Sequence, residues 1–474
     1  MNSIPDELIS TILSYLSPYR ERDTAAHVCR QWRSCINELA AASSKRFERH
    51  LIGSRSVQWY RLIENHANAI NNNGGVGGTN GPSNITSRQH TAACYSDHTR
   101  ATYVFGGVSS SNANTGFNDL LRLDMSTLSW CRPLVRGCAP APLSNASLVS
   151  YKNTLILYGG VHLTELSPFG PGTNRVSNQL YLYHIDEGRW KKADYLDDEC
   201  PPPMLEKSSC VSVHDADLQM DSYFVLGNPR WENNWAEAVR TPKQLWCFDL
   251  HTLKWCAQTL LGATDETLQG GAPCHVRPVH KTAYSSALLV TSVAGGRLRV
   301  TLMYRTSYDE WTCKPIEVLG LPSECEPFFK RSLLAAHVVN DTLALFVLRP
   351  SVADLFQSAA KVAEAKLICA APPGSSRAAA AASSFGQQSP AAKSRELSFA
   401  TEFVTVFLLD LRDLGKESQV KWIPREKYID PCLTVCCPVR LGTVLFAREE
   451  YLLVGESKRN SPGLPVYLLR DIPD

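Results

Sequence analysis

Hydrophobic positions along this chain follow two rhythms. In the first fifty or so residues they recur every three to four positions: Leu8, Ile12, Leu13 and Leu16, then Ala25, Val28, Cys29, Trp32 and Ile36, with Leu39 and Phe47 beyond. That spacing marks one face of an α-helix. Pro5 stands where a missing N–H costs nothing, Asp6 and Glu7 suit the positive end of a helix dipole, and Ser17-Pro18 stops the first run. The second run predicts one helix, or two in succession, reaching about Leu51. From residue 88 onward the rhythm changes to short apolar runs ended by Gly, Asn or Asp, the pattern of strands and hairpins.

The clearest run is Tyr103-Val-Phe-Gly-Gly107, followed by Phe117-Asn-Asp-Leu-Leu-Arg-Leu-Asp124 and Trp130. It predicts a buried strand ending at a tight glycine turn, then an outer hairpin. Alone, such a sheet cannot bury both faces, so it needs copies of itself. The copies are His184 before Trp190, Asp249 before Trp255 and Arg305 before Trp311, each repeating the offset from Asp124 to Trp130. Taking one indole per unit gives Trp59, Trp130, Trp190, Trp255, Trp311 and Trp422, at spacings of 71, 60, 65, 56 and 111 residues. The long last spacing becomes regular if residues 350–400 are an insertion, and those residues are rich in Ala, Ser and Pro, with one short helix expected near Ala353–Leu367. Six units lie within the usual range of about 4–8 blades for a β-propeller. The last unit ends at Val466-Tyr-Leu-Leu469 without an indole strand, so a strand near residues 57–61, carrying Trp59, is expected to complete it and close the ring.

The glycine doublets fade along the chain: Gly106-Gly107 and Gly159-Gly160 are intact, the third unit keeps Gly227-Asn228, and the sixth keeps Gly455. Asn71 to Gly78 form a Gly/Asn-rich linker rather than a phosphate loop, because no strand precedes them and no Lys-Ser/Thr pair follows. Trp231 and Trp235 fall in a long loop of the third unit.

Composition narrows the function. A formal net charge of +2 argues against bulk attraction to nucleic acid or an anionic membrane. No apolar run reaches the roughly 20 residues of a membrane span, and the opening lacks a basic n-region. The 16 cysteines are scattered without Cys-x-x-Cys, and Cys432, Cys436 and Cys437 have no histidine at zinc-finger spacing, so no metal and no cofactor is expected. The compartment expected is reducing, cytoplasm and/or nucleus. Neither a metalloprotease helix nor a nucleophile elbow nor a phosphate loop is present, and a non-catalytic role follows.

The N-terminal helices expose more apolar surface than about fifty residues can hide unaided, so a partner's groove is the better account. Here the residue order resembles an F-box over residues 3–42: Ile4-Pro5 and Glu7, Ile12-Leu13 and Leu16, then Val28-Cys29 and Trp32. The resemblance implies a Skp-type adaptor and, through it, a cullin–RING ubiquitin ligase. Ile4, Pro5, Leu8, Ile12, Leu13, Leu16, Val28, Cys29 and Trp32 would carry that contact or hold it in shape. With the repeats included, the chain resembles an F-box/kelch-repeat protein of the "just one F-box and kelch domain" type, on Leu16-Ser-Pro-Tyr19, Tyr103 to Gly107, Phe117-Asn-Asp-Leu120, and Leu409-Asp410 leading to Trp422. It departs where later glycine doublets are lost and where the insertion is shorter than that family's.

The organisation expected is therefore an α-helical F-box at 1–52, a closing strand and linker at 53–87, and an all-β six-bladed kelch-type propeller at 88–474. By the resemblance it is the substrate receptor of an SCF ligase; the alternative is a non-ligase kelch scaffold. In such propellers a polar or basic residue opening each innermost strand faces one mouth. The positions here are Arg88, Lys207, His280 or Lys281, and Arg331, which suggests an acidic or phosphorylated target.

Overall fold

A computed structural model describes residues 4–53, 57–62, 85–112, 115–162, 175–193, 202–215, 220–229, 243–264, 267–268, 274–279, 286–294, 296–321, 333–349, 403–414, 419–423, 442–448, 450–455, 464 and 466–471. The linker at 71–78, Trp231, Trp235, the 350–400 segment and the Cys432–Cys437 cluster lie outside them.

Three helices open the chain: α1 (Asp6–Ser14), α2 (Arg20–Ala26) and α3 (Arg30–Gly53). The second apolar run is thus not one helix. His27–Cys29 interrupt it, so Val28 sits on a turn while Trp32 belongs to α3. Arg22 closes α1 from below, its Nε donating to the Leu16 carbonyl (3.1 Å) and Nη2 to the Ser14 carbonyl (3.3 Å). A cation there also suits the negative end of the helix dipole.

The remaining described chain is mostly β and β-propeller-like. Its antiparallel meanders run outward from a first, innermost strand. The first meander is Ala92–Ser96, Ala101–Phe105, Leu120–Asp124 and Ser129–Cys131. The fourth is Cys274–Val279, Ala287–Ala294, Arg297–Ser307 and Glu310–Leu319. In the last, Gly442–Ala447, Glu450–Gly455 and Val466–Asp471 are joined by Val57–Leu62, which runs antiparallel to Val466–Asp471 with Trp59 opposite Leu469. The innermost strands lie beside one another in chain order: Ala92–Ser96, Ser147–Tyr151, Leu205–Asp215, Cys274–Val279, Leu333–Val339 and Gly442–Ala447, which returns to Ala92–Ser96.

Local chemistry explains the Asp-to-Trp offset. Asp124 Oδ1 accepts from the amides of Ser126 (2.9 Å) and Thr127 (3.2 Å), and its carbonyl accepts from Leu128 N (2.8 Å). Asp249 does the same with His251 (2.8 Å), Thr252 (3.3 Å) and Leu253 (2.9 Å). An aspartate that ties off its own turn fixes the hairpin length and delivers the indole opposite the residue before it, pairing Leu123 with Trp130 and Phe248 with Trp255. The glycine doublet serves a close approach. A Cβ on Gly106 would sit 2.5 Å from the Leu143 carbonyl, just ahead of the next meander's innermost strand Ser147–Tyr151, and the backbone there has φ +67°.

Three of these indoles then reach the sheet before their own. Trp190 stands edge-on to Phe105 with centroids 5.7 Å apart, Trp255 meets Tyr158 at 5.7 Å and Trp311 meets Phe224 at 5.3 Å. The outer strands also pair in parallel, Leu260 with Trp311 and Val318 with Val420. Trp311 is 1% exposed and its Nε1 donates to Gln258 Oε1 (3.0 Å), whereas Trp130 is only half-buried. We predict that Trp311→Ala lowers unfolding free energy by about 3–5 kcal/mol in urea titrations. Trp130→Ala should cost clearly less, and equal losses would contradict the packing described.

Candidate functional site

The inner face of the helices is closed by their own residues. Ile9 and Leu13 of α1 pack with Ala25, Cys35 and Ile36, and Leu16, Trp32 and Leu39 cover that cluster. Leu13 is 1% exposed, so it holds the helices together rather than offering itself to a partner. Trp32 and Leu16 are half-buried in the same role.

The outer face is different. Ile4, Leu8 and Ile12 follow one another at four-residue steps and Tyr15 continues them, with Val28 added from the turn before α3. Ile12 is 59%, Val28 62% and Tyr15 86% exposed. Pro5 and Cys29 are exposed too. Among the described residues, half of the large hydrophobics left in solvent lie in these first 28 positions, which makes the stripe a feature and not scatter. Tyr15 was missed in the sequence, although its place three residues beyond Ile12 is the available signal.

The helices are also seated firmly on the β domain. Tyr19 is buried, its hydroxyl donating to the Glu450 carboxylate and, at 3.4 Å, to the Ala447 carbonyl. Asp23 accepts from Arg100 and from Arg448 Nη2 (3.2 Å), while Asp97 accepts from Arg100 Nη1 (2.7 Å) and Arg448 Nε (3.0 Å). Arg448 Nη1 adds a bond to the Pro18 carbonyl (2.6 Å). Farther along α3, Phe47 packs on Tyr451 (5.7 Å), and Glu48 accepts from Thr342 Oγ1 (2.6 Å) and Asn340 Nδ2 (2.9 Å). Residues 97–100, 340–342 and 447–450 belong to the turns joining first and second strands in the first, fifth and last meanders. All the seating contacts therefore fall at one end of the β domain.

At the other end, the expected row of cations changes. Arg88 is 1% exposed and forks onto Asp119 through Nη1 (2.6 Å) and Nη2 (3.2 Å), with its guanidinium 4.2 Å from the centroid of Phe117. It is a structural brace, which corrects the expectation that it meets a target. The innermost strand of the fourth meander opens at Cys274, so His280 and Lys281 cannot open it; both, like Arg331, lie outside the described residues. Lys207 falls in the register shift between Glu206 and Ser209. The expected row omitted His275 and Arg277, which do stand on that innermost strand.

Among the described residues no group of three or more His, Cys, Asp or Glu is placed to hold a metal ion. Burial pushes the thiols of Cys210 and Cys247 up to about 11 and that of Cys313 to about 12, so they stay protonated near neutral pH and are poor nucleophiles.

Comparison with known proteins adds the following. Residues 1–41 match the F-box-like family model and residues 78–284 match the KLHDC2/KLHL20/DRC7 Kelch-repeats domain. Leucine-zipper-like transcriptional regulator 1 of Pongo abelii is 28% identical over 168 residues, 34% of this chain and 18% of that one. Dynein regulatory complex subunit 7 of Chlamydomonas reinhardtii is 32% identical over 73 residues, 15% of this chain and 6% of its own length. This chain thus spans less than a fifth of these curated relatives. A solved structure described as "Structure of YjhT" superimposes with a TM-score of 0.46 at 13% identity, covering 81% of this chain and 95% of that one. The chain carries an F-box-like domain at its N-terminal end and a kelch-repeat domain after it.

Burial would raise the Asp97 carboxyl, but hydrogen bonds from Arg448 and Arg100 outweigh it and hold it below its ordinary value of 3.8. Its share of the seating is therefore complete above that value and is lost as pH falls through the depressed one. We predict that hydrogen exchange in α2 speeds up as pH drops below the carboxylate range, after correction for intrinsic rates. Asp97→Asn should show the faster exchange already near neutral pH. A pH-independent α2 in the native protein would refute this.

Proposed function

We propose that this F-box-like, kelch-repeat chain is the substrate receptor of an SCF-type (Skp–cullin–F-box) ubiquitin ligase. In this reading the helices hold a Skp-type adaptor and a closed six-bladed propeller holds the protein to be ubiquitinated. The observation that carries it is the stripe Ile4, Leu8, Ile12, Tyr15 and Val28, left in solvent although α1–α3 already have their own core and their own seat. Apolar surface withheld from both is what an adaptor groove would cover.

Two features support a closed ring of six blades. The innermost strands neighbour one another in sequence order and the last returns to the first. Val57–Leu62 supplies the outer strand of the final meander, so that meander is built from both ends of the chain. Because the helices sit at one end of this body, target recognition belongs at the other, where Lys207 lies. The receptor performs no bond chemistry. It raises the local concentration of target lysines near a charged ubiquitin carrier.

The competing reading is a kelch scaffold whose helices merely brace the ring, and the burial of Tyr19 and Phe47 is what that reading would require. The two differ on the stripe. We expect purified Skp-type adaptor to retain this protein, and Ile12→Asp and Val28→Asp each to weaken retention on the order of 30-fold or more, as loss of a central interface anchor does. Leu134→Asp, at an exposed apolar position on the β domain, should leave retention unchanged. No retention of the native protein would favour the scaffold. Leu13→Asp is unsuitable, since it would place a charge in the helical core.

A further inference from the structure

The outer hairpin of the third meander sets two thiols against each other. Its strands Gln244–Asp249 and Lys254–Leu261 run antiparallel, with Cys247 directly opposite Cys256. Directly opposed residues put their side chains on the same face of a sheet. Their Cα atoms stand about 4.5 or 5.5 Å apart, according to whether the pair carries the ladder hydrogen bonds. Both separations fall inside the range of about 4.4–6.8 Å that a disulfide spans. The Cβ atoms of such a pair, about 4.5–5.5 Å apart, need only a slight closure. Among the described cysteines no other two are opposed in this way; Cys210 and Cys313, for instance, face Val225 and Met303.

The two thiols differ in access. Cys247 is buried in the core between the third and fourth meanders, with Phe224 opposite it on its other side. Cys256 lies farther out in the same row and is half-buried, its Sγ donating to the adjoining Ala257 carbonyl at 3.4 Å. A thiol is a weak donor, so that contact is easily given up. A dissolved oxidant therefore reaches Cys256 first, and Cys247 through it. Burial raises both thiols above their ordinary value. Arg305 works against this at both sulfurs, while Asp249 adds to it at Cys247 and Asp309 at Cys256. Both groups thus rest protonated near neutral pH, and reaction quickens as pH rises, since the thiolate is the nucleophile.

We propose that Cys247 and Cys256 form a redox modification site, joined by a peroxide into a cross-strand disulfide that thiol reductants reverse. The Cys256 thiolate attacks one peroxide oxygen, the O–O bond breaks, and the departing hydroxide takes a proton and leaves as water. Cys256 is then a sulfenic acid, oxidised by two electrons. Cys247 Sγ attacks that sulfur, the S–O bond breaks as the S–S bond forms, and a second water leaves. Overall two thiols and one peroxide give one disulfide and two waters. The opposed placement favours the second step, because the resolving thiol is already in position. The bond ties a hairpin whose second strand runs on to pair with the fourth meander, Leu260 beside Trp311, so it pins the third meander's side of that seam. In a reducing compartment bonds of this kind are transient and redox-sensing.

The test exposes the full folded chain, freed of reductant, to hydrogen peroxide near neutral and at mildly alkaline pH. Remaining thiols are then blocked and the chain is cut with trypsin for mass spectrometry. Lys254 lies between the two cysteines, so the bond shows as two joined peptides that dithiothreitol separates. The joined pair is expected in the native chain, with a yield independent of protein concentration. Its rate of formation should climb about tenfold per pH unit, as the thiolate fraction does below a thiol's own value. Cys256→Ser should remove the joined pair, which also distinguishes Cys256 from Cys274 on the same tryptic peptide. Cys247→Ala should leave Cys256 as a sulfenic acid that a dimedone probe traps. A native chain that yields only the sulfenic acid, or forms the pair only once unfolded in urea, overturns the proposal. So does a joined pair that survives in Cys256→Ser. If that variant does not fold, fragmentation of the native pair assigns the sulfur, and a bond at Cys274 overturns the proposal equally.

Discussion

The indoles of three outer strands, Trp190, Trp255 and Trp311, each set into the sheet that precedes it, are the contacts on which the β domain depends. A four-stranded meander has two apolar faces and too few residues to cover either. Trp190 against Phe105, Trp255 against Tyr158 and Trp311 against Phe224 make each sheet the cover of its neighbour. Aromatic edges at these separations contribute beyond simple area burial. The arrangement is also directional: these three indoles point back along the chain, and at Trp255 the aspartate-tied hairpin sets the height. Stability thus resides between sheets more than within them.

The helices extend the same body. Tyr19 packs edge-on against Tyr95 and belongs to the core shared by the first and last meanders, while Phe47 belongs to the one shared by the fifth and last. Asp23, Asp97, Arg100 and Arg448 then form an alternating set of charges over the junction. Exposed single ion pairs contribute little, but a network whose members each hold two partners fixes geometry more firmly. Whatever α1 carries on its outer stripe is held at a set angle to whatever the β domain carries at its far end. In the receptor reading proposed above, that angle would set which lysines come within reach.

Much of this was legible in the sequence because it depends on neighbours along the chain. The Asp-to-Trp offset reports a turn closed by one side chain, the glycine doublet reports a backbone that must come close to another, and the stripe on α1 reports a helix. The failures were long-range or disguised. Arg88 looked like an exposed cation because its partner Asp119 lies 31 residues further on, just before the strand Leu120–Asp124. The helix break at His27–Cys29 contains neither Gly nor Pro, so nothing in the spacing announced it. Pro278 hid the innermost strand of the fourth meander, since proline within a run argues against a strand; an innermost strand, however, has one unpaired edge, where a missing N–H is tolerated. With that strand misplaced, Arg277 went unseen.

The pairing of Val57–Leu62 with Val466–Asp471 has a consequence for synthesis. The two strands are separated by about 400 residues, which a ribosome needs on the order of 20–80 s to make at about 5–20 residues per second. Throughout that interval the earlier strand is exposed as an open edge, able to template a wrong partner. A nascent chain of this kind is a natural client for chaperones that mask β edges. A polypeptide released before residue 466 would carry the vacancy permanently, giving cellular quality control a physical mark of incompleteness.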